Sequence, residues 1–245
     1  MTNLLNTSFK MYEDTPPDKD PDTYSPTLRD YHLMLWSKPL PSGKVLKLTS
    51  NEKPPFYLYH KSELGTFCLS SDSVLHTYTR WTRESMVKII QAIPQEENEA
   101  FYDLASTVGG YIVFPANQIN KKPTINGIRG MHPRINDRFD LTLECIRRWY
   151  KGEENPLYKH IDRYAEFFRL FEDFKGYCSF FLLEDLVNRE LSKVLFWLPF
   201  KNFSTKSSLP NDLDEYLFYK KNMIAFTNAR SARMGEYIKN AQSHY

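Results

Sequence analysis

FYLYHKSELGTFCL, residues 56 to 69, decides the fold class. Phe56 to His60 and Thr66 to Leu69 are short apolar and aromatic runs parted by Ser62-Glu63-Leu64-Gly65, so the two halves read as paired antiparallel strands. Working outward, Lys44 to Leu48 alternates polar and apolar as a half-buried strand does, and Tyr111 to Pro115 has the continuous apolar character of a buried one. Upstream, Ser25 is an N-cap with Pro26 at the first helical position, and Leu28, Tyr31 and Leu35 recur at helical spacing until Lys38-Pro39. Downstream, Ser70 or Ser71 caps an expected helix bearing Val74, Leu75, Tyr78 and Trp81, which residues 82 to 93 continue, and Glu97 to Val108 forms the next. From Asp137 onward helices are expected over 138–151, 156–173, 178–193 and 212–240, with Phe203 to Pro210 as a polar connector. The fold class is α+β: a helix-dominated single domain with a small antiparallel sheet drawn mainly from residues 44–115. Residues 1–24, acidic and broken by Pro16, Pro17 and Pro21, are expected to form an extended arm on a globular domain spanning 25–245.

Composition narrows the function classes. The 245 residues are 41% hydrophobic and 25% charged, which suits a chain that buries a large core and excludes disorder. Thirty-two basic against 30 acidic residues leave a net charge of +2, too little to coat nucleic acid by bulk electrostatics. Cys68, Cys145 and Cys178 are scattered and odd in number, so neither a disulfide framework nor a cysteine metal site is expected. The six histidines never fall in H-x-x-x-H or H-E-x-x-H order, so no metal is assigned. The longest apolar clusters, Tyr177 to Leu183 and Val194 to Phe200, fall far short of the roughly 18–20 residues that cross a bilayer. With no secretory leader at the N-terminus, a cytoplasmic protein is expected.

Charge distribution points to a site. From Leu104 to Asn136 there is no Asp or Glu, yet Lys121, Lys122, Arg129 and Arg134 are present. Residues 116–136 lack apolar periodicity and contain Gly127 and Gly130 around Arg129, a pattern that lets backbone N–H groups and a guanidinium approach an anion together. The segment is expected to be a loop, with Arg129, Arg134, Arg138, Lys121, Lys122 and Arg80 as ligand-binding residues and His132 as a proton shuttle. The helix after it is amphipathic. Its polar face carries Asp140 and Glu144, which complete a mixed-charge cleft with a catalytic or orienting role, or else form a solvated face laced by Glu144 with Arg147 and Arg148. Neither a P-loop nor a dinucleotide fingerprint occurs, and Leu69-Ser70-Ser71-Asp72 lacks the glycines of a serine-nucleophile elbow. His76 and Arg80 lie four apart and can share a face with Asp72. The expected partner is a phosphate-bearing ligand, nucleotide or nucleic acid, with the cofactor and oligomeric state undetermined. The alternative is a protein-interaction module that docks a protein partner through its acidic arm.

Three stretches, KDPDTYSPTLR (19–29), LWSKPLPSG (35–43) and DRFDLTLECIRR (137–148), resemble an uncharacterised bacterial family of the domain-of-unknown-function type, whose members have about this length. The resemblance implies a bacterial or phage-related cytoplasmic protein and supplies neither an activity nor catalytic residues.

Overall fold

The computed structural model describes residues 5–80, 82–204 and 206–243. Ten helices surround one sheet among these residues: α1 Pro21–Tyr24, α2 Pro26–Trp36, α3 Val87–Gln91, α4 Gln95–Ala105, α5 Ile125–Met131, α6 Phe139–Tyr150, α7 Tyr158–Asp162, α8 Ala165–Arg169, α9 Phe174–Phe180 and α10 Leu213–Ser243. The sheet runs β1 Thr49–Ser50, β2 Leu58–Ser62, β3 Gly65–Ser73 and β4 Tyr111–Pro115, in that spatial order and antiparallel throughout. The architecture is α+β.

Strand β3 organises the sheet. Its first half pairs with β2 (His60 opposite Phe67) and its second half with β4 (Asp72 opposite Ile112). A helix expected from Ser70 is therefore not formed: the strand continues through Ser73, with Phe67, Leu69 and Ser71 alternately buried. Ladder pairing with the apolar β4 outweighs the capping tendency of the serines, which is a weak local preference. Trp81, placed in that helix, lies outside the described residues. Lys44 to Leu48 keeps the expected alternation, with Val45 exposed and Leu46 and Leu48 buried, but only a Pro39–Val45 bridge forms.

Helix α2 starts as its sequence dictates, with Ser25 Oγ accepting from the Leu28 amide and Pro26 at N1. It buries Leu28, Leu35 and Trp36, and Trp36 packs on an aromatic cluster of Phe171, Tyr177, Phe180 and Phe181, its ring 5.2 Å from that of Phe181. Burying each such ring contributes about 1.5–3 kcal/mol. The expected long helices over 156–173 and 178–193 are broken into α7, α8, α9 and a 3-10 turn at Glu184–Leu186, with Glu172, Leu182 and Leu191 in the left-handed region. Helix α10 crosses the whole assembly, burying Tyr216, Tyr219, Met223, Phe226 and Met234.

Two segments depart from expectation in ways that build the site. Residues 116–136 are not all loop: Thr124 Oγ1 accepts from the Gly127 amide and starts α5, which buries Ile125. The N-terminal residues are not an extended arm. Met11 is fully buried in a 3-10 turn at Met11–Asp14, its amide bonds Ser106 O at 2.9 Å, and Asp20 caps α1. Acids expected on a free arm are spent inside the fold, Asp14 accepting from Ser25 Oγ and the Thr27 amide.

Candidate functional site

Alpha helix α1, the end of β3, the segment 74–80 and the α5–α6 junction enclose a cleft of about 970 Å³. Its floor is a buried ion pair. Asp72, on the last turn of the β3 ladder, accepts from Arg129 Nη1 at 2.7 Å, and Arg129 is only 1% exposed. The guanidinium also donates to Ser73 O (3.0 Å), Asp137 O (2.7 Å) and Thr142 Oγ1 (3.3 Å), so its donor fork is spent on the protein. The side-chain amide of Asn126, one turn before Arg129 on α5, has one end 2.6 Å from both Asp72 oxygens, and because those oxygens are acceptors the end facing them is assigned as the nitrogen. Burial pushes the Asp72 carboxyl up to about 7, with Arg129 opposing the shift. Burial also draws on Arg129, but Asp72 and Asp137 outweigh it and keep the guanidinium firmly charged.

A second carboxyl faces the same space from α1. Asp22 Oδ1 is buried without a hydrogen-bond partner among the described residues. Burial, then the charges of Asp20 and Asp72, raise the Asp22 carboxyl well above the ordinary carboxylate range, with Ser71 opposing. Two carboxyls whose burial raises their affinity for protons, in one cleft, are the arrangement from which proton transfer to a bound molecule is built.

Asp137 forms the third side. It receives Arg83 Nη2 at 3.2 Å and lies 3.6 Å from His76 Nε2. His76 Nδ1 accepts from the Tyr78 amide at 3.1 Å, which places the ring proton on Nε2, toward Asp137. Burial lowers His76 to about 4, so the ring is neutral at physiological pH. Backbone strain gathers here: Tyr78, Asn136 and Asp137 have φ of 60°, 48° and 62°, and the Tyr78 hydroxyl ties two of these residues together by donating to Asn136 O at 2.8 Å. Left-handed conformations in non-glycine residues cost about 1–3 kcal/mol each and cluster at ligand sites. Gly130 serves this junction rather than an anion, because a Cβ there would stand 2.8 Å from Asp137 Oδ1.

Ser71, beside Asp72, has His32 Nε2 at 2.9 Å, which invites a nucleophile reading. The tautomer excludes it. Trp36 Nε1 donates to His32 Nδ1 at 2.9 Å, so Nε2 carries the proton and donates to Ser71, and burial holds the ring down at about 3.

Of the residues singled out in the sequence, Arg80 and Arg129 border the cleft, with Asp72 and His76. Arg129 does so as a neutralised structural cation, not as a free anion receptor. Arg80 is exposed, makes no ion pair among the described residues, and stacks 4.0 Å over Tyr102. Lys121, Lys122 and Arg134 are exposed and His132 half-buried, and none of the four borders the cleft. His132 Nδ1 is engaged by the Arg134 amide at 3.2 Å, and burial and the Arg134 charge lower its proton affinity.

The polar face of α6 is not a cleft wall. Every residue from Phe139 to Ile146 is buried, and Asp140 is wholly inaccessible. Arg138 grips Asp140 through Nε (3.1 Å) and Nη2 (2.5 Å) and donates to Ser208 O, while the Trp197 amide donates to Asp140 Oδ2 at 3.0 Å. Glu144 is held by Arg147 and Arg148, both at 2.7 Å, which bring its carboxyl below the usual range against the effect of burial. These groups fasten the 194–208 segment and the helix itself. Asp20 and Asp22 were missed because an acidic, proline-rich terminus carries no periodicity to place it against a core. Among the described residues no three His, Cys, Asp or Glu side chains converge as a metal would require.

What the geometry defines is an α+β domain with a carboxylate-floored cleft closed on one side by its own N-terminal residues. The chain belongs to the family of unknown function DUF6994, which it matches over residues 5–234. Neither the curated proteins nor the solved structures gave a match. Among the described residues no helix is long and apolar enough to cross a membrane.

Proposed function

We propose that the cleft binds, and exchanges protons with, a phosphate-bearing polyol of the nucleotide or sugar-phosphate class. The observation that carries this reading is the pairing of a floor of carboxyls with raised proton affinity, Asp22 and Asp72, with an exposed cation, Arg80, that lines the same cleft and makes no ion pair among the described residues. Hydroxyls of the ligand meet the carboxyl groups that line the cleft, and the anionic group meets Arg80 and Lys19, which also borders the cleft. The Arg80–Tyr102 stack offers a flat platform for a base or ring. Phosphate binding at the floor itself is disfavoured, because five aspartates line the cleft and Arg129 is already paired.

Asp72, at about 7, is the group poised to give and take a proton at neutral pH, with Asp22, whose proton affinity burial also raises, lining the same cleft. Titration calorimetry with AMP and ribose 5-phosphate tests the reading. Arg80→Ala, on an exposed side chain, is expected to weaken binding of either probe at least tenfold with the melting temperature unchanged. Failure of both probes to bind the native protein, or equal binding by the variant, overturns it.

A further inference from the structure

Away from this cleft, a second hollow of about 710 Å³ lies between the turn after α2 and the α9–α10 face, and of the two lysines that line it, Lys38 and Lys175, Lys38 is the buried one. Lys38 is 7% exposed, and its Nζ stands 5.2 Å from the Trp36 ring centroid, 4.8 Å from Phe180 and 4.4 Å from Tyr237. It makes no ion pair and no side-chain hydrogen bond among the described residues, whereas buried lysines ordinarily carry a partner. The hollow has the size of a small-molecule site, and its walls are largely apolar, from Pro39, Leu40 and Pro41 on one side and Phe180 on the other.

We propose that Lys38 is a nucleophilic amine that condenses with a small, uncharged aldehyde or ketone admitted to this hollow. The Nζ lone pair attacks the carbonyl carbon, forming the C–N bond while the C=O π pair moves to oxygen. One N–H proton passes to that oxygen, giving the carbinolamine. The C–O bond then breaks, the oxygen leaves as water with the second N–H proton, and an imine remains, so one amine and one carbonyl give one imine and one water with no change in oxidation state.

The surroundings favour the free amine. Burial lowers the Lys38 ammonium to about 7; the Glu184 charge pulls the other way and Arg230, from α10, adds to the lowering. Glu172, Asp173 and Lys175 line the hollow from the α9 side, and Tyr237 from α10. None of them makes an ion pair with Lys38, Asp173 being occupied as the N-cap of α9 through the Gly176 amide.

The test uses the full chain, benzaldehyde as the carbonyl probe and sodium cyanoborohydride to trap the imine as a stable secondary amine, with labelled sites read by peptide mass spectrometry. Among the nineteen lysines, Lys38 is expected to label at pH 7 at least ten times faster than the exposed Lys44, with a pH–rate midpoint well below that of Lys44. Both quantities come from the native protein, so no variant needs to fold. A rate at Lys38 equal to or below that of Lys44 marks the residue as a cation held by its three rings and overturns the proposal. The outcome is independent of ligand binding at the Asp22–Asp72 cleft.

Discussion

Replacing Arg129 by methionine removes the charge under the cleft and keeps most of the side-chain volume. Four side-chain hydrogen bonds disappear, and Asp72, on the same buried floor, loses its ion-pair partner at 2.7 Å. Breaking a buried pair by deleting one partner costs about 3–5 kcal/mol, because the surviving carboxylate keeps only the neutral Asn126 amide against its charge. For a domain of this size each kcal/mol moves the melting temperature by roughly 2–4 °C, so Arg129→Met is expected to melt about 6–20 °C lower near neutral pH. The sign of the pH dependence follows from Asp72. Its folded pKa, already raised to about 7, rises further without Arg129, while the unfolded value stays near its reference of about 3.9. A raised carboxyl stabilises the fold fully below the unfolded pKa and loses that contribution as pH climbs through the folded one. The deficit is therefore larger at pH 8 than at pH 5, and Asp72→Asn in the Arg129→Met background recovers part of it. Thermal melts followed by circular dichroism at both pH values decide the matter. A drop below about 3 °C at pH 8, or a deficit that does not change with pH, refutes the ion-pair floor.

Three further outcomes are expected. Asp22→Asn removes a carboxyl whose folded pKa is raised, so it should melt higher than the native protein at pH 8 and match it near pH 4; a lower melting point at pH 8 contradicts the buried-acid assignment. Tyr78→Phe deletes the bond to Asn136 O at the strained junction and is expected to cost about 1–3 kcal/mol in urea unfolding, and a change under about 0.5 kcal/mol speaks against that tie. Glu144→Gln loses charge-assisted bonds to Arg147 and Arg148, a loss of about 1.5–3 kcal/mol near neutrality. Because its folded pKa is lowered, that stabilisation is present above the unfolded value of about 4.3 and fades as pH falls, so the variant and the native protein should converge in melts near pH 3.

Features governed by local chemistry were legible. The Ser25-Pro26 start of α2, the 62–65 turn and the buried run at 111–115 depend on capping, turn formation and apolar continuity, each visible within a few residues. Segments whose state depends on a distant neighbour were not. Ser70 to Ser73 could cap a helix until β4 claimed them as a strand, and Asn126 to Met131 read as loop because two glycines hid the helix that Thr124 starts. The site was half legible: Arg80 and Arg129 border the cleft, while Asp140 and Glu144 hold arginines in the interior.

By itself the amino-acid sequence determined the class of fold, the strand pairing about residues 56–69, and the one carboxylate-free segment around Arg129, because periodicity and charge are properties of neighbours along the chain. Tertiary structure alone decided what that segment faces. Asp72 lies 57 residues from Arg129 in the chain and 2.7 Å from it in space, and Asp22 reaches the same cleft because Met11 is drawn into the core. Whether a cation is a receptor or already satisfied depends on which carboxylate the fold brings to it, and contacts between distant residues leave no periodic trace in either stretch.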